Sequence, residues 1–276
     1  MKALGWGGVV VTMLTSTLGA SDFSLKELPA GADGLRRFAL TSPYQPEATM
    51  LRILAAEKSA TGEDRRIVFI LPVEAKEEHR FGDGMTEAQK LKLQEKYNVV
   101  VVAPSFAQLP WYADNPADKA IQQESHFIKA IVPAVDQLYP SKTPRRLLLG
   151  FSKSGWGGYS LILRHPDLFV AASAWDAPLT KVKPDQFGMG SIFGSQENFE
   201  RYQISKLFEQ KGKPFAEKKR LVLTGYGNFR QHTQDAHALM QKFGIQHEYA
   251  DGPYCKHLWG SGWMEESMQL LDGLTK

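Results

Sequence analysis

The residues best suited to chemistry lie in one short stretch, Gly-Phe-Ser-Lys-Ser at positions 150–154. Ser152 stands between two small residues, Gly150 and Ser154, although glycine is the usual residue at the last of these positions. An apolar run at 147–149 precedes the stretch, and small and apolar residues at helical spacing follow it. A serine on such a strand-to-helix turn is exposed at a strained backbone angle, and small neighbours let strand and helix approach. The pattern predicts a nucleophile elbow with Ser152 as the nucleophile rather than a plain Gly/Ser-rich turn.

A serine needs a base to remove its proton, and histidine is the most frequent choice. When nucleophile, acid and histidine follow one another along the chain, the histidine lies after the last strand. Of the seven histidines, only His257 lies on a loop after the last predicted strand, 246–249. We therefore predict His257 as the base and interpret the other histidines as surface or packing residues.

The acid that orients this histidine is expected at a strand exit between Ser152 and His257. Asp176 follows the strand that comes directly after the elbow helix, as the acid does in pancreatic-type lipases, and we predict it as the acid. The commoner position, after the next strand, carries Asn228, which could hold the imidazole tautomer but could not offset its positive charge. Asn228 and the more distant Asp235 remain alternatives.

Acyl transfer also needs hydrogen-bond donors for the developing oxyanion. One expected donor is the backbone N–H of Lys153, the residue after the nucleophile. The second is expected at the exit of the strand predicted at 66–71, from the N–H of Val73 or Glu74. The Glu74 carboxylate would have to turn away, because its charge would oppose that of the oxyanion.

Aromatic residues are frequent at the predicted strand ends. They are Phe106, Trp111, Tyr112, Phe151, Trp156, Trp175, Trp259 and Trp263. Together they could wall a pocket for an acyl or aryl group, although each alone is equally explained by packing. We expect Trp111, Tyr112 and Trp175 to contact the substrate.

The elements that would position these residues alternate between strand and helix. Strands are predicted at 35–40, 49–55, 66–71, 99–103, 147–149, 169–174, 220–224 and 246–249, and helices at 85–97, 122–139, 155–163, 197–210, 232–243 and 264–274. Such alternation predicts an α/β fold with a mostly parallel central sheet and helices on both faces. The two N-terminal strands, separated by a Pro-containing turn, are predicted to be antiparallel additions.

Composition places the chain among ordinary globular proteins. It has 276 residues, of which 43% are hydrophobic and 23% charged, with a net charge of +3. A charge this small and evenly spread does not favour nucleic-acid binding. The single cysteine, Cys255, excludes an internal disulfide and a zinc site built on several cysteines. We interpret Cys255 as a packing residue rather than a nucleophile, and expect neither a metal nor an organic cofactor.

The first twenty residues differ from the rest. Lys2 is the only charge before Asp22, and a modest apolar stretch occupies 9–18. The pattern favours a secretory signal peptide over a disordered tail, and leaves one domain over 21–276. The apolar stretch is too short to span a bilayer, so no stable membrane insertion is expected. A secreted or periplasmic protein is predicted, with a cytoplasmic one as the alternative.

With these motifs the chain resembles the α/β-hydrolase superfamily, and within it the putative-esterase branch, similar to esterase D and polyhydroxybutyrate-depolymerase-like proteins. The elbow and the His257 loop carry the resemblance, which covers residues 35–274. It implies the fold and ester hydrolysis, but no particular substrate, because this fold hosts many functions.

Three functional hypotheses follow. The first is a serine carboxylesterase that cleaves a small-molecule or polymeric ester through an acyl-enzyme on Ser152. The second is a peptidase or an acyltransferase with the same triad, which would differ in pocket shape and in the nucleophile that resolves the acyl-enzyme. The third is a non-catalytic binding protein, motivated by Asn228 at the usual acid position.

Overall fold

The computed structural model describes residues 23–56 and 65–275, which are built around one sheet of nine strands. The strands are β1 (Ser24–Glu27), β2 (Arg36–Thr41), β3 (Thr49–Ala55), β4 (Arg66–Ile70), β5 (Val100–Pro104), β6 (Arg145–Phe151), β7 (Ala171–Trp175), β8 (Leu221–Tyr226) and β9 (His247–Tyr254). Their order across the sheet is β1-β2-β3-β5-β4-β6-β7-β8-β9. Pairing is antiparallel from β1 to β5 and parallel from β5 to β9. The predicted mixed sheet is confirmed.

Helices cover both faces of this sheet, and each face has its own apolar core. The helices are α1 (Gly84–Lys90), α2 (Leu93–Lys96), α3 (Gln123–His126), α4 (Val132–Leu138), α5 (Ser152–Arg164), α6 (Met189–Phe193), α7 (Gln196–Glu200), α8 (Ile204–Lys211), α9 (Arg230–Lys242) and α10 (Trp263–Gly273). Successive strand residues point to opposite faces. Phe69 therefore belongs to one core with Tyr159 of α5, and Val68 to the other with Met268 of α10.

Several elements differ from the sequence prediction, among them the helix predicted at 197–210, which is divided into α7 and α8. β1 lacks an apolar pattern and forms the edge of the sheet because its backbone pairs with β2. The helix predicted at 85–97 is broken at Lys92, whose φ of 49° is left-handed and cannot continue a helix. The helix predicted at 122–139 contains a π-helical turn at Phe127–Ile131. Pro133 follows this turn and has no N–H to complete the normal ladder.

The leader predicted at residues 1–20 lies outside the described residues. Within 23–56 and 65–275, no helix is both long and apolar enough to cross a membrane.

His126 is fully buried against Phe106, in the core that contains Phe69, and it gives the fold a pH-dependent stability. Its ring nitrogens lie 2.8 Å from the Ser42 hydroxyl and 3.0 Å from the Thr49 hydroxyl. Burial lowers the pKa of His126 to about 4. The unfolded chain takes up this proton near pH 6.5, but the folded chain does so only near pH 4, so stability is complete above pH 6.5 and falls between these values.

We expect this histidine to remove about 2 kcal/mol of unfolding free energy between pH 7.5 and pH 5, at roughly 1.4 kcal/mol per pH unit below pH 6.5. A His126→Gln protein keeps a polar side chain that cannot titrate, so its pH dependence should be flatter by that amount. Urea unfolding of both proteins at the two pH values measures the difference. Equal pH dependence would contradict this account of His126.

Candidate active site

Ser152 is the first residue of α5 and follows β6 directly, on the turn that the sequence predicts. Its φ of 53° lies in the left-handed region, which is strained for a serine. The turn is tight: a Cβ atom at Gly150 would lie 2.5 Å from the carbonyl oxygen of Ser154. Only glycine therefore fits at position 150, and the geometry is that of a nucleophile elbow.

Ser154 occupies the position where glycine is usual, and its side chain has a structural role. The hydroxyl accepts a hydrogen bond from the backbone N–H of Phe151 at 3.1 Å and donates one to the Phe151 carbonyl at 2.9 Å. Ser154 is fully buried. The hydroxyl thus ties the start of α5 to the end of β6 and explains how serine is tolerated here.

Close packing of α5 depends on Gly157 but not on its neighbour Gly158. A Cβ atom at Gly157 would lie 2.0 Å from the Tyr112 ring, whereas the nearest atom at Gly158 would be 3.4 Å away. We expect Gly157→Ala to lower the unfolding free energy by about 1–3 kcal/mol through overpacking. Gly158→Ala should be neutral or stabilising by up to about 1 kcal/mol, because alanine favours the helix. Chemical denaturation of both variants tests this, and equal effects would contradict it.

Asp176 and His257 meet as predicted for the acid and the base. His257 Nδ1 lies 2.6 Å from Asp176 Oδ2. Asp176 follows β7, has a left-handed φ of 42° and is fully buried. Burial alone would raise the pKa of this carboxyl, but hydrogen bonds from His257 and from the backbone N–H groups of Asn228, Gly227 and Phe229 hold it below its ordinary value. The carboxylate is therefore ionised near neutral pH.

The exit of β8, where an acid is more usual, supplies donors to Asp176 instead. The N–H of Asn228 donates to Asp176 Oδ2 and that of Phe229 to Asp176 Oδ1, both at 2.7 Å. A Cβ atom at Gly227 would lie 2.6 Å from Asp176 Oδ2, so glycine makes room for the carboxylate. Asp235 lies on the exposed side of α9, where Gln231 donates to it.

The His257 ring is enclosed by aromatic side chains. Ring centroids lie at 5.4 Å for Phe81, 4.9 Å for Phe151 and 5.7 Å for Phe229, all in edge-to-face arrangements. Nδ1 donates its proton to the Asp176 carboxylate, which leaves Nε2 as the hydrogen-bond acceptor. The imidazole is thus held in one orientation and in the tautomer that a base requires.

A cavity of about 270 Å³ contains both Ser152 and His257. Its lining residues are Arg80, Phe81, Leu109, Ser152, Lys153, Pro178, Phe187, Asn228, Phe229 and His257. The wall is mostly apolar, with polar and cationic groups beside the serine. Such a cavity suits an organic ligand of modest size.

The predicted oxyanion donors occupy different positions relative to this cavity. Lys153 lines it, and as the second residue of α5 its backbone N–H has no acceptor within the helix. Val73 and Glu74 are buried just beyond β4 and are not among the lining residues. The Glu74 carboxylate turns towards Arg80, at 3.0 Å, and Lys153, at 3.6 Å. The second donor stays a prediction.

The three aromatic residues expected to contact substrate do not line the cavity, which corrects that expectation. Trp111, Tyr112 and Trp175 are all buried, with at most 1% of their surface exposed. The Trp111 indole N–H donates to the Phe187 carbonyl at 3.1 Å, and the Tyr112 hydroxyl donates to the Pro72 carbonyl at 2.7 Å. Trp175 stacks on Trp263 with an angle of 5° between the rings. Trp111 and Tyr112 pack in the core that contains Phe69, and Trp175 packs in the core that contains Val68.

Other cavity residues escape sequence reasoning. The set is Arg80, Phe81, Leu109, Pro178, Phe187 and Phe229. Pro178 and Phe229 follow β7 and β8, so the rule that ligands bind at strand exits could have found them. Arg80 and Phe81 lie in an irregular loop after β4, where no periodicity indicates a side-chain direction. Within residues 23–56 and 65–275, no cluster of His, Cys, Asp and Glu is suited to hold a metal ion.

Comparison with known proteins finds similarity in structure but not in sequence. No protein-family model and no curated protein matches the chain. Similar solved structures include an S-formylglutathione hydrolase from Agrobacterium tumefaciens, with a TM-score of 0.67 and 14% identity, covering 91% of this chain and 99% of that chain. A ferulic acid esterase has a TM-score of 0.61 and 16% identity, with coverages of 92% and 97%.

A third similar structure is the capsule O-acetyltransferase of Neisseria meningitidis serogroup A. It has a TM-score of 0.56 and 13% identity, and covers 90% of this chain and 98% of that chain. Structural similarity over almost the whole length of each compared chain, at such low sequence identity, establishes a shared fold. The protein therefore has the α/β-hydrolase fold that its elbow and its sheet order indicate.

Proposed function

We propose that this protein is a serine hydrolase that cleaves carboxylic esters through an acyl-enzyme on Ser152. The observation that carries the proposal is the pairing of His257 with Asp176 next to a cavity that Ser152 also lines. Ser152 and His257 line one cavity, and Asp176 holds His257 Nδ1 at 2.6 Å. The similarity to a ferulic acid esterase and an S-formylglutathione hydrolase supports a hydrolase of the esterase type.

In the proposed reaction, His257 Nε2 takes the proton of the Ser152 hydroxyl as its oxygen attacks the ester carbonyl. The Asp176 carboxylate stabilises the imidazolium that forms. The Lys153 N–H, with a second N–H from Val73 or Glu74, binds the oxyanion of the tetrahedral intermediate. His257 then gives its proton to the leaving alcohol, and water resolves the acyl-enzyme by the same steps. The chain's own side chains supply each proton transfer.

The binding-protein alternative rests on Asn228 at the usual acid position. This argument is weaker because the backbone N–H groups at the β8 exit donate to Asp176, a carboxylate at the end of β7. A non-catalytic protein would also have no need of a strained serine in the same cavity as an oriented imidazole. Both observations favour catalysis.

Incubation of the purified protein with a fluorophosphonate, followed by intact mass and peptide mapping, tests the proposal. An activated serine should give one adduct, on Ser152. No adduct on folded protein would refute it. Turnover of a series of para-nitrophenyl esters should then proceed in buffer alone, because water is the expected acceptor.

A further inference from the structure

The cavity around Ser152 has an uneven distribution of charge. Two cationic residues line it, Lys153 and Arg80, and among the described residues no aspartate or glutamate does. Asp176, the nearest carboxylate to the triad histidine, is fully buried and does not line the cavity. An anionic group that enters the cavity would therefore meet positive charge without a competing carboxylate.

Glu74 pairs with both cations from outside the lining of the cavity. Its carboxylate lies 3.0 Å from Arg80 and 3.6 Å from Lys153. One carboxylate against two cations leaves one positive charge in excess. The Arg80 side chain is 68% exposed, so water weakens its contribution, whereas the Lys153 side chain is only 9% exposed. Lys153 is therefore the cation whose field a ligand in the cavity would feel most strongly.

Lys153 also retains hydrogen-bonding capacity. An ammonium group has three N–H donors, and hydrogen bonds to carboxylates are usually about 2.7–2.9 Å long. The contact with Glu74, at 3.6 Å, is longer than this. Burial lowers the pKa of Lys153, Glu74 opposes that shift and Arg80 adds to it. A second anion would accept hydrogen bonds from the unused N–H donors of Lys153. Like Glu74, it would also oppose the lowering of the Lys153 pKa by burial.

From this geometry we infer that Lys153, assisted by Arg80, forms a subsite for a carboxylate carried by the ester substrate. The inference rests on the proposed function and narrows it to esters with an anionic group near the bond that is cleaved. Lys153 directly follows Ser152, and both residues line the cavity. The apolar wall of Phe81, Leu109 and Phe229 would hold the rest of the molecule.

The carboxylate can belong to the acyl group or to the leaving alcohol, and two pairs of esters separate these cases. For the acyl group, the pair is the para-nitrophenyl monoester of adipic acid and its methyl-capped form. For the alcohol, the pair is para-carboxyphenyl butyrate and its methyl ester. Dividing each kcat/KM by the rate of spontaneous hydrolysis removes differences in intrinsic reactivity. The readout is the preference for the free carboxylate within a pair.

We expect the unmodified protein to prefer the carboxylate by about 10-fold or more in at least one pair, as one charge-assisted contact allows. Lys153→Met keeps the length and apolar stem of the side chain. In this variant Glu74 still has Arg80 as an ion-pair partner. This variant should lose most of the preference, and Arg80→Gln a smaller part. Lys256→Met is the matched control, because Lys256 is exposed beside His257 but does not line the cavity.

A ratio within each variant is insensitive to a general loss of activity, so a partly damaged protein still gives an answer. A preference near one in both pairs, or one that Lys153→Met leaves unchanged, would overturn the inference. Calorimetry with the Ser152→Ala protein separates this from failure of the proposed function. The ligands are the butyramide of para-aminobenzoate and its methyl ester. If the Ser152→Ala protein binds the free carboxylate selectively but the unmodified protein does not hydrolyse esters, the proposed hydrolase is refuted and the carboxylate subsite is retained.

Discussion

A Ser152→Ala protein is expected to lose ester hydrolysis by about 10⁴-fold or more, together with all fluorophosphonate labelling. In the proposed mechanism the hydroxyl oxygen forms the acyl-enzyme, and no other side chain at the elbow can replace it. Ser154 cannot, because it is fully buried and bonded to the Phe151 backbone. Initial rates on a para-nitrophenyl ester, with intact mass after labelling, measure both losses.

Ser160→Ala is the control for this variant. Ser160 lies in the same helix, is buried and is not among the residues that line the cavity. Its substitution should leave the rate within about threefold of the unmodified protein, because it contacts no reacting atom. Hydrolysis that survives in the Ser152→Ala protein would mean that another residue is the nucleophile.

The second large effect is expected for Asp176→Asn, with a fall in kcat of about 10⁴-fold. The carboxylate accepts hydrogen bonds on both oxygens, from His257 and Asn228 on one and from Phe229 on the other. An amide would set its NH₂ group against one of these donors. It would also leave the imidazolium without a compensating charge. The buried mismatch should lower the unfolding free energy by about 1–3 kcal/mol as well.

Two further variants identify the acid by exclusion. Asn228→Ala keeps the backbone N–H that Asp176 uses, so its effect on kcat should be far smaller than that of Asp176→Asn. Asp235→Asn should leave kcat unchanged, because Asp235 is exposed on α9 and bonded to Gln231. Rates for the three proteins at one saturating ester concentration make the comparison. A larger loss with either Asn228→Ala or Asp235→Asn would move the acid to that position.

The elbow could be predicted from the sequence because its determinants are local. A strand, a small-x-Ser-x-small turn and a helix follow one another within about twenty residues, and the small residues are required by contacts along that same stretch. The role of the Ser154 hydroxyl could not be read in this way. It depends on how the first turn of α5 folds back on Phe151.

The acid shows where local information ends. Asp176, Asn228 and Asp235 all lie between Ser152 and His257 in the sequence, and each follows a predicted strand. Their order along the chain does not show which of them lies next to His257. The choice depends on the pairing of β7 with β8 and β8 with β9, which brings three exits together. β9 also extends to Tyr254, beyond the predicted 246–249. Only residues 255 and 256 therefore separate the end of this strand from His257.

The aromatic residues mark the same limit. Trp111, Tyr112 and Trp175 lie near strand ends, as predicted, yet they are core residues. Position at the end of a strand indicates proximity to the site but not the side towards which a ring points. Phe81 and Phe229 contact His257 instead, and both come from loops without periodicity.

The α/β fold, the elbow at Ser152 and the loop that carries His257 could be predicted without coordinates, because each follows from residue type and spacing along a continuous stretch. Two contacts could be seen only in three dimensions: the N–H groups that the β8 exit donates to Asp176, and the pairing of Glu74 with both Lys153 and Arg80. These contacts join residues from different strand exits. Their distances depend on sheet register and loop packing, which no local pattern in the chain encodes.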